Sequence, residues 1–91
     1  MPPQQRVALL EKAGTKLYGD RWQQPLADVL GVQARTVRRW IAGDRAVSPH
    51  IIEALPQVLY REAQERRAVA KEIELMACLL MSDLLKEFGS D

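Results

Sequence analysis

Arg35, Arg38, Arg39 and Arg45 crowd into one short stretch of the chain, and three of them lie inside Ala34–Ala42. On a helix turning about 100° per residue, with Val37 as the reference direction, Ile41, Ala34, Trp40 and Thr36 fall within about 100° of it. That arc is the expected core face. Arg35, Arg39 and Ala42 take the opposite arc, with Arg38 at its edge, and burying guanidinium groups without partners is prohibitive, so they must meet water or an anion. A planar guanidinium fits both a pair of phosphate oxygens and the O6/N7 edge of guanine, which suits the DNA backbone and the major groove alike. Arg45 extends the basic surface just past the helix.

Other reactive residue types form no such pattern. His50 stands alone, without a second His, Cys or carboxylate at metal-ligand spacing, and reads as structural or surface. Cys78 is the only cysteine, which rules out an intramolecular disulfide or a paired-cysteine metal cluster. Its neighbours Met76 and Met81 sit in an apolar helix where packing explains them. Ser48 reads as a helix cap, since no histidine base accompanies it as a nucleophile. No glycine-rich phosphate loop is present. The expectation is a protein that is not an enzyme, with no cofactor, no metal and no evident small-molecule ligand.

Those residues need a scaffold, and 91 residues allow one compact domain with an appended helix. Apolar residues make up 47% and charged residues 27%, which predicts a folded chain. The net charge of +1 hides an asymmetry. Met1 to Ser48 carries eight Lys/Arg against four acids, whereas Pro49 to Asp91 carries five against eight. A basic binding surface joined to an acidic segment would produce that split. The opening Met-Pro-Pro-Gln-Gln-Arg lacks the apolar core of a secretory signal. The longest apolar run, Leu75 to Met81, is far short of the ~20 residues that cross a bilayer. A cytoplasmic protein without a membrane partner is expected.

No stretch alternates as a strand does, so the fold is read as all-α. Pro3 opens a first helix with Val7, Leu10, Leu17 and Tyr18 on one face, where Gly14 would admit a close neighbour. Gly19-Asp20 interrupts it. A second helix runs from about Trp22 to Leu30, with Pro25 tolerated in its first turn. Gly31 stops that helix, Val32 and Gln33 bridge, and the third helix covers Ala34–Ala42 until Gly43 ends it. Two short helices with a glycine turn of this length form a helix-turn-helix. Ser48-Pro49 starts a short fourth helix, and Pro56 is expected to separate it from a long fifth one, because it cannot donate to the Ile52 carbonyl.

That long helix is polar in its middle, where Arg61 with Glu65 and Glu62 with Arg66 are favourable four-apart pairs. From Ile73 to Phe88 it is apolar over more than one stripe. Such a helix must be buried against something. The division expected is therefore a DNA-binding unit over 1–55 and a dimerising or partner-binding helix over 56–91.

The run from Gln23 to Trp40 resembles the helix-turn-helix domains of the lambda-repressor and Cro type. Gly31 matches the turn glycine; Leu26, Leu30, Val32, Val37 and Trp40 match the apolar positions; Ala27 matches the small residue where the helices cross. Trp40-Ile41-Ala42-Gly43-Asp44-Arg45 also resembles small bacterial and phage regulators. The likeness covers about the first 55 residues and implies a four-helix core of lambda-repressor type, carrying a long C-terminal helix. It further implies base contacts from Gln33, Ala34, Arg35 and Arg39, and phosphate contacts from Gln23, Arg38 and Arg45. The family's turn commonly supplies Ser or Thr where this chain has Gln33, a poor cap that leaves the side chain free for a base or phosphate.

The expectation is a sequence-specific regulator of transcription that inserts helix 34–42 in the major groove of double-stranded DNA as a homodimer. Its dimer interface would use Ile73, Met76, Leu80, Leu84 and Phe88, and two half-sites would lie roughly 34 Å apart. The alternative is a protein-interaction module of antitoxin or adaptor type, whose C-terminal helix binds a different protein. RNA binding ranks last, because no exposed aromatic platform is evident.

Overall fold

The computed structural model describes residues 2–88, and every element among them is helical. α1 spans Pro3–Tyr18, a 3-10 turn covers Gly19–Arg21, α2 spans Gln23–Leu30, α3 spans Ala34–Ala42 and α4 spans Pro49–Phe88. The chain divides into two compact units, one ending at Tyr60 and the other starting at Arg61. The first unit continues past residue 55 because Val58 is buried and Leu59 packs against the core.

Within the first unit the core draws on every helix. Leu10 and Ala13 come from α1, Leu26 and Ala27 from α2, Val37 and Trp40 from α3, and Leu55 from α4, with Trp22 completing it. Val47, in the loop after α3, is also fully buried. The loop is held there by Arg6, whose Nη1 donates to the Val47 carbonyl at 3.0 Å. Arg6 therefore serves the scaffold.

Gly14 does admit a neighbour. A Cβ there would lie 2.7 Å from Trp22 Cδ2, so the indole packs directly on the α1 backbone. The second tryptophan, Trp40, is equally buried, although its Nε1 finds no hydrogen-bond partner among the described residues.

Two helices end in the same motif. Gly31 adopts φ +73°, its N–H reaches the Asp28 carbonyl, and Val32 N–H donates to the Ala27 carbonyl at 3.0 Å. Gly43 at φ +80° repeats this, with Asp44 N–H donating to the Arg39 carbonyl at 3.0 Å. The pairing satisfies carbonyls that a helix end would otherwise leave open. At the start of α4, Ser48 Oγ accepts from the His50 N–H at 3.1 Å, with Pro49 in the first helical position.

The expected break at Pro56 does not occur. α4 runs unbroken through it, so the fourth and fifth helices are one. A proline removes one backbone hydrogen bond and crowds one carbonyl. Here Leu55 and Val58 are buried on either side of it, while Pro56 itself faces solvent. Packing of Leu55 and Val58 on one face keeps the helix continuous.

In the second unit the helix is exposed from residue 64 to residue 88. Arg66 Nη1 pairs with Glu62 Oε2 at 3.2 Å, as the spacing predicts. Arg61 and Glu65 form no ion pair among the described residues. No helix among the described residues is long and apolar enough to cross a membrane.

Candidate nucleic-acid interface

α3 owes its orientation to two side chains. Val37 is 1% exposed and Trp40 3%, and they share one face of a nine-residue helix. A helix pinned at these positions must present its other face outward, and Arg35, Arg38, Arg39 and Ala42 are all exposed. None of the three guanidinium groups takes part in an ion pair among the described residues.

Around them the chain is held closely. Arg45 is exposed, and its backbone N–H donates to the Arg39 carbonyl at 3.3 Å, fixing its main chain at the end of α3. Gln33 precedes α3 in an extended conformation, and its carbonyl accepts from Thr36 N–H at 2.9 Å. Its side chain makes no cap bond and is exposed. Gln23 is half-buried in the first position of α2. Ala34 is half-buried too and packs against the core, so only part of its methyl surface is open.

One residue of α3 departs from its expected place. The helical wheel puts Ile41 in the core arc, yet it is 42% exposed. The space beneath α3 is filled by Val37, Trp40 and Val47, and Ile41 is left at the rim, in a shallow groove with Pro3, Val7 and Gly43. Arg21 is a further exposed cation, two residues ahead of Gln23, that the periodicity of α3 does not single out. Its signal is position: a basic residue just before the start of α2.

The apolar residues of the second unit are open. Ile73, Met76, Leu80, Leu84 and Phe88 are each more than half exposed, Phe88 at 75%. Val69, Leu75, Leu79, Met81 and Leu85 are exposed with them. Monomeric soluble proteins rarely leave so much contiguous apolar surface in water. No group of His, Cys, Asp and Glu side chains suited to a metal ion occurs among the described residues.

Comparisons of this chain with protein-family models, curated proteins and solved structures yield no match.

Proposed function

We propose that this chain is a sequence-specific DNA-binding regulator of the lambda-repressor and Cro helix-turn-helix type. α2 and α3 are the two helices of the motif, with Gly31 in the turn, and α3 enters the major groove. Arg35 and Arg39 read base edges together with Gln33 and the exposed part of Ala34. Gln23, Arg38 and Arg45 hold phosphates. The observation that carries this reading is the set of exposed arginines on α3, away from buried Val37 and Trp40 and in no ion pair among the described residues. Guanidinium groups fixed on a short rigid element are suited to bidentate recognition.

Two copies acting together would place two such helices about one turn of DNA apart, roughly 34 Å, and the added contacts would convert weak binding into specific binding. The exposed apolar residues Ile73, Met76, Leu80, Leu84 and Phe88 support self-association. Selection of bound duplexes from a random pool tests the whole reading. An enriched two-fold symmetric sequence is expected, and a pool that stays unenriched would refute sequence-specific recognition.

The same apolar surface favours a second reading, an interaction module of antitoxin or adaptor type whose C-terminal helix binds a different protein. Sedimentation of the purified chain separates the two. A stable dimer supports the first, and an aggregating or molten monomer the second.

A further inference from the structure

We infer that α3 selects guanine at two positions of each half-site, one met by Arg35 and the other by Arg39, on adjacent or next-but-one base pairs. The inference rests on the reading of α3 as the helix that enters the major groove, and it adds which bases that helix takes there.

The side chains of α3 decide the matter by what they lack. Its nine residues include no carboxylate and no amide. Thr36 holds the only side-chain hydroxyl and is half-buried. The carboxylates nearest in sequence lie outside the helix: Asp28 in α2, where Oδ1 accepts from Gln24 Nε2 at 2.9 Å, and Asp44 beyond Gly43. The exposed polar groups of α3 are therefore guanidinium groups alone, which donate hydrogen bonds and accept none.

In the major groove cytosine offers an N4 donor, and adenine sets an N6 donor beside its N7 acceptor, so a guanidinium meets another donor on either base. Thymine offers the O4 acceptor beside a methyl group. Guanine alone sets two acceptors, N7 and O6, side by side, and one guanidinium donates to both. A helix whose outward polar groups are all donors thus favours guanine and disfavours adenine and cytosine, and discrimination gains from both. Gln33, just ahead of α3, carries the one amide among the base-reading side chains, so a preference for adenine is confined to its own position.

Geometry limits which arginines and which base pairs take part. Val37, 1% exposed, fixes the inward direction. At about 100° per residue, Arg35 and Arg39 each lie within about 20° of the direction opposite Val37, whereas Arg38 lies about 80° from it. The first two face the bases together and Arg38 falls to the side, where the phosphates run. Four residues separate Arg35 from Arg39 by about 6 Å along the helix, against about 3.4 Å between successive bases of one strand. That separation matches one or two base steps.

The test takes a duplex selected by the full chain from a random pool and replaces its guanines singly with 7-deazaguanine, which keeps base pairing and O6 but has no N7 acceptor. Two replacements in each half-site, on adjacent or next-but-one base pairs, are each expected to lower affinity about tenfold. In Arg35→Ala one of the two ceases to matter, and in Arg39→Ala the other. The first measurement alters only the base, so it stands whether or not the variants fold. A selected half-site without two such guanines, or one whose 7-deaza forms bind as tightly as the parent, overturns the guanine assignment while leaving sequence-specific binding intact. A pool that stays unenriched overturns the reading beneath it, and the assignment as well.

Discussion

Arg35 and Arg39 stand four residues apart on α3, one turn of the helix, and both are exposed, in no ion pair among the described residues. If they read bases, Arg35→Ala or Arg39→Ala costs about 1 to 3 kcal/mol of binding and relaxes preference at one base pair, while Arg45→Ala weakens all sequences similarly. Affinities for a panel of single-base operator variants check this division, and equal losses on every duplex for all three would contradict it. Gln33 offers a sharper separation of stability from binding, because its side chain does not cap α3. Gln33→Ser supplies the missing acceptor and is expected to raise stability by about 1 kcal/mol. Chemical denaturation measures that gain, and duplex affinity should fall at the same time if the glutamine touches DNA. Gly14 has a steric role. Gly14→Ala drives a methyl into the Trp22 indole and should cost about 1 to 3 kcal/mol, seen as a lower melting temperature.

At the scale of the elements, the turns were more plainly written than the helix lengths. Gly31 and Gly43 mark the ends of α2 and α3, since a left-handed residue with no Cβ penalty is what each closing motif needs. Gly31→Ala keeps the hydrogen bonds but strains the backbone at φ +73°, at a cost of about 1 to 2 kcal/mol in thermal or chemical unfolding. A variant as stable as the wild type would show that the turn can relax. Pro56 misled because local rules count its lost hydrogen bond and omit the burial of Leu55 and Val58 beside it. Ile41 misled for a related reason: a helical wheel assigns a direction, whereas burial also needs a neighbour in that direction. Val47 carries no periodic signal at all; its burial shows only in the folded chain, where Arg6 also holds its carbonyl.

For the molecule as a whole, an arginine-rich helix face and an apolar distal helix were both legible from spacing, because each is a property of one element. Partners were not. Whether guanidinium groups meet phosphates, or Ile73 and Leu80 meet their own copies, depends on surfaces outside the chain. The near-zero net charge conceals a charge asymmetry, since eight cations precede Pro49 while eight acids follow it. Binding should therefore respond to the local field of the α3 surface and not to the overall charge.

Affinity for a labelled duplex measured across a series of salt concentrations tests the DNA-binding claim most directly. Each phosphate neutralised by an arginine releases counterions, so the logarithm of the binding constant should fall steeply against the logarithm of salt, and the slope should lessen by about 1 in Arg45→Ala. An affinity that does not change with salt, in the wild type and the variant alike, would mean that these arginines hold no phosphate.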